Sequence, residues 1–229
     1  MLIGGIQELS LIDYPKKLST IIFTQGCPFR CHFCHNPSLV LKEKFSSPIK
    51  EEDIFSFLKK RQNKLDAVVI TGGEPTIQKD LKEFIKKVKN LGYLVKLDTS
   101  GINPHVLKEL LDENLLDYVA MDIKTSLNNY SQVIAIKINI ENIKKSINIL
   151  LSSSIPYEFR TTLVPFLHKT EDVKDIAISI KGAKLLTLQT FIPTTTLNPN
   201  FSKEQPFSAS QMKQLKILAE QYVVQCKIR

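Results

Sequence analysis

The chain has 229 residues, 43% of them hydrophobic and 24% charged, and 31 Lys and Arg outweigh 23 Asp and Glu for a formal net charge of +8. That balance is typical of a globular domain and predicts one domain over residues 1–229. No apolar run approaches the roughly 18 residues that span a bilayer, and residues 1–14 lack the basic start and apolar run of a secretory signal, so a cytoplasmic protein without a membrane partner is expected.

The basic excess is mostly lysine and is not interleaved with aromatic residues. No helix-turn-helix, zinc-finger or RNA-binding signature occurs, and no nucleic-acid partner is expected. The charge reads either as solvated lysine faces or as a patch for an acidic partner. Three of the four cysteines fall within eight positions, which argues for metal rather than disulfides.

In chain order, short apolar runs alternate with amphipathic stretches. Leu18–Gln25 predicts a strand and Lys50–Gln62 a helix with Ile54, Phe57 and Leu58 on one face. Ala67–Thr71 predicts a strand closed by Gly72-Gly73, and Leu81–Asn90 a helix burying Phe84, Ile85 and Val88. Leu94–Leu97 predicts a strand, followed by Asp98-Thr99-Ser100-Gly101 and a helix from Pro104, a residue tolerated in a first turn, to Leu111. Strands are then expected at Tyr118–Ile123, Tyr157–Val164 and Leu185–Phe191, and helices at Asn139–Leu151, Val173–Ile180 and Ala209–Tyr222. The stretch Pro193–Pro206 reads as a long loop. Six strands alternating with helices predict an α/β fold with a parallel sheet, either doubly wound or a partial barrel.

The chemically unusual residues follow successive strands: Cys27–Cys34, Gly72-Gly73-Glu74-Pro75, Asp98–Gly101, Asp122–Lys124, and Gln189 with its loop, while Arg160 lies in the fifth strand. In parallel α/β folds the C-terminal ends of the strands form the active-site rim.

Cys27, Cys31 and Cys34 stand in a C-x3-C-x2-C run. Three readings fit: buried cysteines, a zinc site completed by His32, His35 or Cys226, or a [4Fe–4S] cluster with one iron left open. Cys226, alone in the last turn of the chain, reads as a core residue, and His32 and His35 as loop residues. Asp122 and Lys124, two apart on a strand, share a face and would need partners if buried. Arg160, on an apolar strand, wants an anion, with Glu158 or Glu171 as protein partners.

With Phe33 at the aromatic position, Cys27–Cys34 resembles the hallmark of the radical S-adenosylmethionine superfamily. The resemblance implies a partial (β/α)6 TIM-like barrel of radical SAM type, a [4Fe–4S] cluster on the three cysteines, and S-adenosylmethionine bound to the open iron. In that family an electron from the cluster cleaves the sulfonium and yields a 5′-deoxyadenosyl radical. The resemblance further implies that Gly72, Gly73 and Glu74 serve the methionine amino group and that the backbone of Phe33 to His35 touches the adenine. It implies that Asp98, Thr99 and Ser100 contact the cofactor, and that Asp122 with Lys124 lies near its carboxylate. Arg160, Gln189 and Phe191 complete the cofactor set.

The segments Gly5–Pro15, Phe23–Cys27 and Cys34–Pro37 are similar to the activating proteins of anaerobic ribonucleoside-triphosphate reductase, relatives of the pyruvate formate-lyase activating enzyme. That enzyme carries a histidine before a Thr-Leu pair, where this chain has Thr195 before Thr196-Leu197. The implied partners are a glycyl-radical enzyme as protein substrate and a flavodoxin- or ferredoxin-type electron donor. A small-molecule radical enzyme, such as 7-carboxy-7-deazaguanine synthase, and a non-catalytic metal-binding module are the alternatives.

Overall fold

The computed structural model describes residues 1–229. Eight strands form one sheet in sequential order: β1 (Ile3–Ser10), β2 (Ser19–Thr24), β3 (Ala67–Gly72), β4 (Leu94–Thr99), β5 (Tyr118–Asp122), β6 (Tyr157–Leu163), β7 (Leu186–Thr190) and β8 (Cys226–Ile228). All neighbours from β2 to β8 are parallel, and β1 runs antiparallel to β2. The strands β2 to β7 are the six expected from the sequence. The sheet curls into a partial barrel whose edge strands β1 and β8 do not pair with each other. At that edge Arg229 and Asp13 approach to 3.8 Å.

Two strands escaped the sequence reading. The first, β1, opens with Gly4-Gly5, residues depleted in strands, and shows no clean alternation in burial. The other, β8, has only three residues. The last helix accordingly stops at Ala219, not Tyr222, and Cys226 lies in β8 rather than in a turn, buried as expected.

The helices are α1 (Pro37–Val40), α2 (Glu51–Lys60), α3 (Leu81–Asn90), α4 (Pro104–Asp112), α5 (Tyr130–Val133), α6 (Ile140–Leu151), α7 (Thr170–Ser179) and α8 (Ala209–Ala219). Their apolar faces cover the outside of the sheet. Ile54 and Leu58, then Phe84, Ile85 and Val88, then Ile143, Ile147 and Leu150 pack in one core with Val68, Leu97, Met121 and Phe159. Each such side chain contributes about 1.5–3 kcal/mol by leaving water. Helix starts obey local chemistry: Asn139 caps α6 by accepting from the Glu141 amide at 3.1 Å, and Ser208 and Gln211 form a capping box on α8. No helix is long and apolar enough to cross a membrane.

Alternation on the strands sends the other face inward. Its lower level, at the N-terminal strand ends, is apolar: Tyr14, Ile21, Ala67, Val69 and Tyr118 cluster there. Its upper levels are charged, and they floor the site.

Candidate active site

The cysteine loop leaves β2 at the top of the barrel. The Gly26 amide donates to the Leu39 carbonyl and the Glu74 amide to that of Gly26, both at 2.8 Å. Arg30 Nη1 caps the carbonyls of Cys27 and Phe29 at 2.8 and 2.9 Å. Phe29 packs edge-on against Tyr130, and Phe33 against His168. The loop after β7 closes over this segment: the amides of Leu197 and Asn198 donate to the carbonyls of Cys34 and His32 at 2.8 and 3.0 Å.

All three cysteines are free thiols. Burial pushes Cys27 up to about 12, with the nearby Glu74 charge adding to it. Burial likewise raises Cys31 to about 11, partly offset by Lys124. Such thiols hold their protons until a metal displaces them. No three His, Cys, Asp or Glu side chains converge to hold a single metal ion. An iron–sulfur cube takes one thiolate on each of three irons, so its ligands need not converge, and three cysteines on one short loop fit that donor set.

The turn after β3 is built by glycine. Gly72 sits at φ +110°, and a Cβ on Gly73 would lie 2.0 Å from the Gly26 carbonyl oxygen. Glu74, 1% exposed, accepts five hydrogen bonds. Its Oε1 takes the Thr76 amide, the Thr76 hydroxyl and the Thr99 hydroxyl at 3.1, 2.6 and 2.7 Å. Its Oε2 takes the Ser100 amide and hydroxyl at 2.7 and 2.6 Å. The carboxylate thus staples the Gly72–Pro75 turn to the end of β4, and the backbone of Gly72 and Gly73 is what this turn offers a ligand.

Across the floor runs a ladder of charges. Lys96 Nζ lies 2.9 Å from Asp98 Oδ1, and Arg160 Nη1 lies 2.9 Å from Asp98 Oδ2. Arg160 Nε then reaches Asp122 Oδ1 at 2.7 Å, and Lys124 Nζ lies 3.1 Å from Asp122 Oδ2. Burial would raise the two carboxyl groups, but Arg160 with the lysines holds both below the usual carboxylate range. Burial would lower Lys124, but Asp122 keeps it above the ordinary lysine value. The partners expected for Arg160, Glu158 or Glu171, are therefore replaced by Asp98 and Asp122. Glu158 instead accepts from the Thr187 hydroxyl at 2.9 Å. Glu158, buried on the same strand face two residues before Arg160, adds a third negative charge near the three cations, so the charges of the ladder balance.

These elements enclose a cavity of about 280 Å³. Fifteen of the sixteen residues singled out from the sequence line it, so one cavity collects every strand-end motif. The exception is Phe191, wholly buried, whose ring stacks on His35 at 5.4 Å. His35 Nε2 lies 2.8 Å from the Ile192 carbonyl, so this histidine also braces the loop. Phe29, Asn36, Val40, Thr71 and Thr162 also line the cavity and were missed. Thr162 carried a signal, because it lies two residues beyond Arg160 on the same strand face. His168, 1% exposed behind Lys124, had none.

A curled α/β sheet whose parallel strands converge on three cysteines defines a class of protein, and the comparison agrees with it. Residues 21–181 match the Radical SAM superfamily, and the chain belongs to that superfamily. In particular, it is 37% identical over 236 residues to the "putative glycyl-radical enzyme activating enzyme" of Methanocaldococcus jannaschii, a match covering 100% of this chain and 95% of that one. It is 29% identical over 185 residues to the pyruvate formate-lyase-activating enzyme of Listeria monocytogenes, covering 76% and 72% of the two chains. Among solved structures, SuiB of Streptococcus suis bound to S-adenosylmethionine shares the fold with a TM-score of 0.68 at 14% identity. That match covers 90% of this chain and 48% of SuiB, so the chain spans about half the length of SuiB.

Proposed function

We propose that this chain is an activase that uses a [4Fe–4S] cluster and S-adenosylmethionine to remove a hydrogen atom from a glycine of a glycyl-radical enzyme, namely an anaerobic ribonucleoside-triphosphate reductase. The observation that carries the reading is the meeting of the cysteine loop with the ends of β3, β4, β5, β6 and β7 round one cavity. The full-length match to the M. jannaschii protein supports the activase class.

Cys27, Cys31 and Cys34 would hold the cluster, leaving one iron free for the cofactor. When bound, the cluster supplies one electron and S-adenosylmethionine supplies the hydrogen-abstracting group, with methionine, 5′-deoxyadenosine and a glycyl radical as products. The backbone of Gly72 and Gly73 lets a ligand approach closely, since no side chain intervenes. Lys124, with a single carboxylate partner, offers its remaining donors to an anion. The phenyl ring of Phe33 and the loop from Phe191 to Asn198 shield the cysteine side from water. Strands β1 and β8 do not pair, and under this reading a polypeptide substrate would approach along that side of the barrel. A flavodoxin- or ferredoxin-type donor in the cytoplasm supplies the electron under this reading.

The test mixes the reduced, iron-loaded protein with S-adenosylmethionine and the candidate reductase in the absence of oxygen. A doublet glycyl signal in electron paramagnetic resonance is expected, absent when the reductase's radical-site glycine is replaced by alanine. If every glycyl-radical enzyme of the source organism stays silent, the activase reading fails.

A further inference from the structure

We infer that His168 is the positioning residue that sets Lys124 in the floor of the cofactor cavity; the inference rests on the reading of that cavity as the S-adenosylmethionine site. His168 follows β6 on the turn Val164–His168, closed by the amides of Leu167 and His168 donating to the Val164 carbonyl at 2.9 Å. The turn swings the imidazole inward, where it is 1% exposed. Its two nitrogens meet different elements. Nδ1 lies 3.0 Å from the Val164 amide nitrogen and 3.2 Å from the Val164 carbonyl oxygen, and Nε2 lies 2.7 Å from the Lys124 carbonyl oxygen. A carbonyl only accepts, so the Nε2 contact, the shorter of the two carbonyl contacts, requires the proton on Nε2, and Nδ1 then accepts from the Val164 amide. The ring edge packs against Phe33, the aromatic residue of the cysteine loop, at a centroid distance of 6.3 Å and 72°.

One neutral imidazole thereby ties together the end of β6, the end of β5 and the cysteine loop. Lys124 lies two residues past the end of β5, on the segment to α5, and its backbone has one other tether, the Lys124 amide donating to the Tyr130 hydroxyl at 3.2 Å. Farther along, Ser126 and Asn129 donate to Asp172 at 2.5 and 2.6 Å, which holds the segment but not its first residue. The direction in which the lysine leaves the backbone is therefore set by the His168 bond. Without it the ammonium group keeps its Asp122 partner but loses its fixed origin.

Three variants separate this role from simple packing. His168→Gln keeps a side-chain N–H at the Nε2 position and so the bond to Lys124. His168→Asn keeps an acceptor near Nδ1 for Val164 and cannot reach Lys124. His168→Ala keeps neither. Equilibrium binding of S-adenosylmethionine to the iron-loaded protein should weaken about tenfold in His168→Asn and His168→Ala, the loss of roughly one hydrogen bond's worth of positioning, while His168→Gln stays near the parent. Amide hydrogen exchange over residues 124–129, read without any cofactor, should speed up in the Asn and Ala variants and not in Gln. Equal affinity in all three variants, or equal exchange in Asn and Gln, would overturn the positioning role. A parent protein that binds no S-adenosylmethionine while the exchange pattern holds would leave His168 as the tether of Lys124 and refute the reading of the cavity.

Discussion

Arg160 shows how one side chain organises the floor of this site. Its guanidinium bridges the buried Asp98 and the half-buried Asp122. Arg160→Ala leaves each carboxylate with its lysine alone, Lys96 or Lys124, which should destabilise the fold near neutral pH by about 1–3 kcal/mol. The pH dependence has a definite sign. Both carboxyl groups are held below their ordinary value in the folded chain. Their contribution is complete above the unfolded carboxylate range, about pH 4–5, and is lost as pH falls through the lower folded values. The stability gap between parent and Arg160→Ala, measured by urea unfolding, should be widest near neutrality and narrow toward about pH 3. A gap that holds constant or widens on acidification would show that the two carboxylates do not depend on Arg160.

Among the elements, two loops govern the site, and they are zipped together with no room between them. The Gly73 amide donates to the Thr24 carbonyl and the Glu74 amide to the Gly26 carbonyl, both at 2.8 Å. Gly73→Ala would drive a methyl group into the Gly26 carbonyl oxygen, 2.0 Å away, and force the turn after β3 off the base of the cysteine loop. Such overpacking costs about 1–3 kcal/mol, and here the displaced part is the loop that carries Cys27, Cys31 and Cys34. Iron content after anaerobic reconstitution should therefore fall in Gly73→Ala. Gly92, at φ +86° with nothing within 4 Å of its would-be Cβ, provides the control. Gly92→Ala carries backbone strain but should load iron like the parent. A full iron complement in Gly73→Ala would show that the two loops are not coupled.

At the scale of the whole molecule, the barrel divides into a lower end closed by an apolar plug and an upper end that carries the cysteine-lined cavity. Tyr14, 7% exposed, lies across the lower opening with its ring 5.8 Å from that of Tyr118, above Ile21, Ala67 and Val69. The segment before β2 thus plugs the end of the barrel remote from the cysteines. Tyr14→Ala should cost about 3 kcal/mol in urea unfolding by opening a cavity in that plug. Its affinity for S-adenosylmethionine should match the parent's, because the plug and the cavity occupy opposite ends of the strands. A selective loss of affinity with unchanged stability would contradict this division.

What the sequence determined by itself was whatever depends on neighbours along the chain. Hydrophobic periodicity marked β2 to β7 and the longer helices α2, α3, α4, α6, α7 and α8, but not the one-turn helices α1 and α5, and the spacing of Cys27, Cys31 and Cys34 placed three thiols on one loop. Strand-end position collected Gly72, Asp98, Asp122 and Gln189 on one rim, because a parallel sheet brings all such ends to the same side. The tertiary structure decided which of these residues touch. Arg160 meets Asp122 and Asp98 across 38 and 62 residues of chain, and Glu74 meets Thr99 and Ser100 across 25 and 26. Those partnerships follow from lateral register, in which Asp122 stands beside Arg160 and Asp98 beside Ala120. The stagger of strands around a barrel sets that register, and no local pattern encodes it. For the same reason β1 and β8 stayed hidden. A strand that opens on two glycines and a three-residue strand are defined by the neighbour they pair with, β2 for β1 and β7 for β8, rather than by a pattern of their own.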